Sequence, residues 1–322
     1  LVGNDQINGS RFIYMSQIDL GGKGFTTGVN QNVTYNGPVY QRYANEDITW
    51  EVGEKINFGV DLQLFHSLDL TFDIFRENRR DIFQEKGTTP TYMGTATTKV
   101  YGNLAAMRNQ GFELAASYNK QFNKNWFVSF KGTFTYVHNE ITQYDESPKY
   151  PWQSKIGVSA NKNAIYIADG LFIDAADIAN HQQQLGAAVI PGDIKYINIS
   201  RDWYGYDDNL TDTDDWVWAK HPGVPEIVYG FGPSIKWKNL DFSFFFQGVA
   251  FMVKDFHPFG DSMLRNVLSW VADERWSPDN QNTNATYPRL SRKTNNNNNK
   301  LSSYWERNGA FLKLKNAEIG YT

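Results

Sequence analysis

Five histidines, His66, His138, His181, His221 and His257, are the first residues to ask for chemistry, and none stands at metal-ligand spacing from another. His66 falls in a turn between two alternating segments and His138 near the end of another, so both are read as structural or solvent-facing. No Gly-x-Ser-x-Gly elbow is present, and Gly21-Gly22-Lys23-Gly24 lacks the spacing and following helix of a phosphate loop. The acids are numerous, but they form no constellation of the kind glycoside hydrolysis needs. With no cysteine, disulfides, thiolate catalysis and cysteine metal sites are excluded. No enzyme chemistry is therefore expected, and no cofactor.

One segment does hold chemistry-bearing residues close together. Trp203, Tyr204, Tyr206, Trp216 and Trp218 flank Asp207, Asp208, Asp212, Asp214 and Asp215. Aromatic faces carry the apolar contact in ligand recognition. These five aromatics are therefore the candidate ligand-binding residues, and the alternative is that they pack the loop or meet a partner. The five acids are candidate oxygen ligands for a hard cation. A solvated acidic loop is the favoured reading of them, so no metal is expected.

The elements that must position this segment follow a period of two, the strand signal. Ile56 to Leu64 alternates without error, His66-Ser67 turns the chain, and Leu68 to Ile74 alternates again. Phe112–Tyr118, Trp126–Tyr136, Tyr229–Trp237 and Leu240–Phe246 follow suit. Phe311 to Tyr321 alternates with a phase slip, read as a bulge. The strands run about 9 to 16 residues, against a usual mode near 5 or 6. The connections are either very short (66–67, 123–125, 238–239) or long (about 85–110, 145–226, 255–307). A short helix is predicted near Ala175–Leu185 and another about Ser262–Glu274; the Asn295–Asn299 run is read as a solvated loop.

Each strand has one apolar and one polar face. A soluble sandwich buries the apolar face under a second sheet; a transmembrane barrel gives it to lipid and lines its lumen with the polar one. Long connections gathered at one end favour the barrel. Trp126, Tyr136, Tyr144, Trp237 and Phe246, near strand ends, fit interfacial girdles, although aromatics favour strands in any case. Asp61, Asp69, Asp73, Glu113 and Asp241 are then lumen acids. The mean hydropathy of −0.54 and the 16% aromatic content suit a chain averaging a lipid face, a wet face and long loops. A net charge of −4 argues against a nucleic-acid partner. The chain starts at Leu1 with no signal-like segment, and is read as mature or as a piece of a longer one.

Several segments then carry a resemblance. They are Ile48-Thr49-Trp50-Glu51 with Lys55 to Asp61, Arg80-Asp81-Ile82, Pro191-Gly192-Asp193-Ile194-Lys195-Tyr196, Trp276-Ser277-Pro278-Asp279-Asn280 with Tyr287-Pro288-Arg289-Leu290, and Asn308 to Asn316 with Gly320-Tyr321-Thr322. In this order they resemble the SusC/RagA family of TonB-linked outer-membrane transporters. The resemblance implies an all-β transmembrane antiparallel barrel with long extracellular loops, of which residues 1–322 supply about eight strands out of 22. The N-terminal plug and the final strands would lie outside this chain. It also implies import of oligosaccharides or peptides, energised by TonB through an absent N-terminal region, beneath a SusD-like surface lipoprotein. The place implied is the outer membrane of a Gram-negative bacterium of the Bacteroidota. One departure stands out: where the family follows PGDIKY with a calcium-like, glycine-containing loop, this chain reads Asn198, Ser200, Arg201, Asp202 and Trp203. The competing readings are a soluble all-β carbohydrate-binding or hydrolytic domain, and a surface role without import.

Overall fold

The computed structural model describes residues 2–4, 12, 14–90, 100–201, 204–256, 268–291 and 295–322. Trp203, His257 and the first half of the helix expected from Ser262 lie outside them. The chain divides into two compact units.

The first unit takes most of residues 1–160. Its strands are β1 (Val2–Asn4), β2 (Gln17–Thr27), β3 (Val33–Arg42), β4 (Glu51–Leu64), β5 (Leu68–Glu85), β6 (Tyr101–Asn123) and β7 (Trp126–Gln143). β2 and β3 form a separate hairpin that the alternation did not announce. β1, β4, β5, β6 and β7 are neighbours in that order. β6 begins at Tyr101, so the long connection expected at 85–110 shrinks to residues 86–100.

The register keeps the two faces apart. Phe58 pairs with Ile74, Val60 with Phe72 and Leu62 with Leu70, while Lys55 meets Glu77, Asp61 meets Thr71 and Gln63 meets Asp69. On the polar face Thr71 Oγ1 donates to Asp61 (2.7 Å) and Gln63 Nε2 to Asp69 (3.0 Å). Among the described residues no second sheet covers the apolar face: Ile56 is 69% exposed and Phe58 63%. Among the described residues, Ala105 is the one buried apolar side chain of this unit. A soluble sandwich would lose about 25 cal/mol for every Å² left bare in this way. The face belongs in lipid.

Two local devices finish the unit. Phe65 and His66 both sit at positive φ (54° and 53°), as a tight hairpin turn with the strands' twist requires, and Ser67 N–H closes it onto Leu64 O (3.1 Å). At the other end of β5, Asp81 takes φ 57° where the register slips between Arg79 and Ile82. Asn103 fills the gap. Its amide donates to Asp81 O (2.6 Å) and Thr49 O (2.9 Å), and its Oδ1 accepts from Thr49 N–H (2.9 Å). The Ile48–Glu51 and Arg80–Ile82 segments thus meet at one bulge.

The second unit takes most of residues 161–322. It contains β8 (Ala164–Tyr166), β9 (Ala168–Leu171), α1 (Ala175–Asn180), β10 (Gln183–Gln184), β11 (Ile194–Tyr196), β12 (Leu210–Thr211), β13 (Trp216–Trp218), β14 (Ile227–Trp237), β15 (Leu240–Ala250), β16 (Val253–Asp255), α2 (Ser269–Glu274), β17 (Glu306–Asn308) and β18 (Phe311–Tyr321). α1 is shorter than expected: Asp174 caps its N-terminus through Asp177 N–H (2.8 Å), and His181 is already extended. Antiparallel β14, β15 and β18 repeat the two-faced pattern. The phase slip in β18 is a bulge: Phe245 faces Asn316 and Phe246 faces Leu314, leaving Lys315 over. That extra residue lets Leu312 and Leu314 share a face with Ala317, Ile319 and Tyr321. Trp126 and Trp237 pair at the short turns (5.9 Å between rings), where the sequence placed a girdle.

The remaining elements of this unit are short and pack on each other. Leu171, Ile194, Tyr196, Val271, Trp276, Ala285, Tyr287 and Trp305 form their core.

Candidate functional site

The core of these connections is built where three of the singled-out segments converge. Gly192 takes φ +84°, and a Cβ there would lie 2.2 Å from the Trp276 ring, so only glycine lets the indole close over the turn. Arg289 N–H donates to Gly192 O (3.0 Å), and its guanidinium pairs with the buried Asp193 carboxylate at 2.7 and 3.0 Å. Trp276 N–H donates to Tyr287 O (2.9 Å). The PGD, WSPDN and YPRL segments are therefore parts of one knot.

The asparagine run closes it, which corrects the expectation of a solvated loop. Asn297 and Asn298 are 1% and 4% exposed. Asn298 Nδ2 and Asn295 Nδ2 each donate to Asp193 Oδ1 (2.9 Å), and Asn298 Oδ1 accepts from Ile194 N–H (2.9 Å). Asn297 Nδ2 donates to Ile194 O (2.9 Å) and Gln184 Nε2 to Asn297 Oδ1 (2.6 Å). Burial pushes the Tyr196 phenol well above its ordinary range. Protonated, it donates to Asn297 O (2.8 Å). The sequence signal was available: an amide brings donors and an acceptor together, which suits it to satisfying buried backbone.

On this base stands the aromatic and acidic segment. Trp216 and Trp218 lie on β13, which pairs with β8, and their rings meet edge to face at 5.2 Å. Tyr204 and Tyr206 sit on an exposed turn, at 81% and 72% exposure. Sequence reasoning missed a second aromatic pair beside this segment. Tyr150 and Trp152 stack at 4.4 Å under the Lys149 ammonium, and Tyr150 Oη donates to Arg201 O (2.8 Å). The run Tyr150-Pro151-Trp152, two aromatics across a proline, was the available signal.

Four of the five candidate acids are at least partly buried on the loop, and Asp207 stays exposed. Asp215 is fully buried; its oxygens accept from Ile199 N–H and Ser200 N–H (both 2.7 Å) and from Asp212 N–H (2.7 Å). Asp212 caps Asp214 N–H (2.7 Å), and Asp214 pairs with Lys149. Asn198 Nδ2 donates to both Asp207 and Asp208 (2.8 Å each), and Arg201 pairs with Asp207 at 3.3 Å. Burial pushes the Asp208 carboxyl up, but hydrogen bonds from Asn198, Leu210 N–H and Ser200 outweigh it and hold it below its ordinary value. Donors occupy the positions a hard cation would need, and a calcium ion does not fit this arrangement. Among the described residues, no group of three or more potential ligands converges.

A bare apolar face on each set of long strands, a hydrogen-bonded polar face, and one-sided long connections define a transmembrane β-barrel. Comparison with known proteins agrees. A family model described as "TonB dependent receptor-like, beta-barrel" matches residues 19–322, and the chain belongs to that family. TonB-dependent receptor P3 of Formosa agariphila is 22% identical over 303 residues, 89% of this chain and 28% of that protein. TonB-dependent receptor P26 of the same organism is 23% identical over 330 residues, 91% of this chain and 30% of that protein. The chain thus spans under a third of the length of these relatives. Among solved structures, the RagAB peptide importer in its closed-closed state superposes with a TM-score of 0.60 at 18% identity, covering 99% of this chain and 33% of that one. Its open-open state gives 0.61 at 17%, with coverage of 99% and 32%. The family is one of outer-membrane receptors, not enzymes.

Proposed function

We propose that this chain is part of the barrel of a Bacteroidota outer-membrane importer, driven by TonB, that takes up oligosaccharides or peptides beneath a SusD-like lipoprotein. The plug and the remaining strands belong to other parts of the whole protein. The observation that carries this reading is the uncovered apolar face from Ile56 to Leu64 in a chain of the TonB-dependent receptor family. It also disfavours a soluble carbohydrate-binding domain. Trp203, Tyr204, Tyr206, Trp216 and Trp218 are the proposed substrate contacts, and the stacked Tyr150 and Trp152 extend that aromatic surface. Asp207, Asp208, Asp212, Asp214 and Asp215 shape the loop that presents them.

The test is uptake of labelled oligosaccharides and peptides by cells with the gene deleted and complemented. Uptake that depends on the gene and stops with a protonophore supports the reading. Normal uptake of every probe by the deletion strain overturns it. Complementation with Tyr206→Ala plus Trp216→Ala separates the roles: weakened uptake at normal surface level assigns substrate contact, and unchanged uptake assigns loop packing or lid contact.

A further inference from the structure

The register of β4, β5 and β6 stacks the lipid-facing side chains in rows. Leu64–Leu68–Tyr118, Leu62–Leu70–Ala116, Val60–Phe72–Leu114 and Phe58–Ile74–Phe112 climb from the short turn, and none carries a charge. The next row is Ile56–Arg76–Gln110, and above it stands Glu54–Asn78–Arg108. Arg76, Asn78, Arg108 and Gln110 therefore form a two-by-two patch on the lipid side, at the upper edge of the apolar band. In barrels of this kind the long connections lie outside the cell. The patch is then level with the headgroups of the outer leaflet.

The patch is rich in uncommitted donors. Arg80, on the same face, is taken by Glu54 (3.5 Å) and Asp81 (2.6 Å), and Arg108 gives one terminal nitrogen to Glu140 (3.1 Å). Among the described residues, no hydrogen bond or ion pair occupies the exposed Arg76 guanidinium or the side-chain amides of Asn78 and Gln110. Arg108 Nε is shielded from solvent and has no hydrogen-bond partner. Arg76 and Arg108 are diagonal neighbours, about 7–8 Å apart at this register. Two cations at that spacing repel each other unless an anion lies between them. A guanidinium at the edge of the hydrocarbon also reaches for a polar partner at the interface.

We propose that Arg76, Asn78, Arg108 and Gln110 bind the phosphate of an anionic lipid in the outer leaflet. The planar fork of Arg76 suits two phosphate oxygens at once. Arg108 Nε and the amide donors of Asn78 and Gln110 complete the shell. The two carboxylates at this level do not compete for these groups, because Glu54 is engaged by Arg80 and Glu140 by the far end of Arg108. The assignment concerns how the barrel meets its bilayer, and it is independent of what the protein imports.

The test places the whole protein in phosphatidylcholine nanodiscs that carry either diphosphorylated lipid A or its dephosphorylated form, and reads the retained lipid by native mass spectrometry. Heat-modifiable migration checks that each variant is folded. The parent should retain the phosphorylated lipid several-fold over the other. Arg76→Gln should lose that preference. Arg80→Gln should keep it, because Arg80 shares the face but is already paired. Inorganic phosphate should not displace the lipid, since the acyl chains hold the phosphate at this level. Equal retention of the two lipids by the parent overturns the proposal, as does an Arg76→Gln variant that keeps the preference. Equal loss in Arg76→Gln and Arg80→Gln would show a diffuse effect of charge, and ready displacement by inorganic phosphate would show a free-ion site; either also overturns it.

Discussion

Arg289 closes on Asp193 at 2.7 Å, although the two are separated by 96 residues and belong to different segments of the sequence. Asp193 is almost fully buried, and two asparagine amides and the Ile190 N–H complete its shell. Removing one partner of a buried pair leaves an uncompensated charge, at a cost of about 3–5 kcal/mol. Arg289→Ala should therefore expose residues 184–196 and 285–305 to protease. Heat-modifiable migration should persist, because the long strands do not depend on this knot. Equal protease resistance in parent and variant would sink the assignment.

Gly192→Ala attacks the same knot without touching a charge. The new methyl meets the Trp276 ring and the backbone sits at positive φ, so the indole must move. We expect a loss of about 1–3 kcal/mol, in the range of an overpacked core, and greater solvent exposure of Trp276 in quenching of tryptophan fluorescence.

The bulge in β18 makes a deletion test with opposite outcomes. Without Lys315 the alternation of Leu312, Leu314, Ala317, Ile319 and Tyr321 becomes regular, so that variant should still assemble a heat-modifiable barrel. Without Lys313 either Leu312 or Leu314 is forced onto the polar face, since a one-residue slip flips side chains across a strand. That variant should assemble poorly. Equal assembly of the two would contradict the pairing of Phe245 with Asn316 and Phe246 with Leu314.

Chelation provides a test of the acidic loop. Asn198, Arg201 and Lys149 already meet the carboxylates of Asp207, Asp208 and Asp214. Treatment with EDTA should leave cleavage within 198–215 unchanged. A faster cleavage reversed by calcium would show that an ion holds the loop.

The membrane strands were legible because their physics is local. Each residue from Ile56 to Leu64 reports its face by its own polarity, and the turn, expected at His66-Ser67 and found with Phe65 and His66 at positive φ, follows from where alternation stops. The β18 bulge was legible for the same reason. The connections were not, because their packing joins residues far apart: nothing near Asn297 in sequence shows that its amide serves Ile194, 103 residues away. The β2–β3 hairpin escaped because its irregular register breaks the alternation: shifts fall between Gln17 and Ile18, Asp19 and Gly22, and Gly22 and Phe25. In the candidate site the residue types were readable, but the burial of Asp215 was not, since hydrogen bonds to backbone leave no mark in composition.

The uncovered run from Ile56 to Leu64 also sets a length. Nine residues at about 3.4 Å each, tilted by about 45°, cover about 22 Å of hydrocarbon. An average bilayer offers about 30 Å, and the bacterial outer membrane is thinner than average. In a thicker inner membrane the charged Lys55–Glu77 level would be drawn toward acyl chains. Hydrophobic mismatch would then act against residence there, so the height of one bare strand face helps to select the bilayer in which the chain can rest.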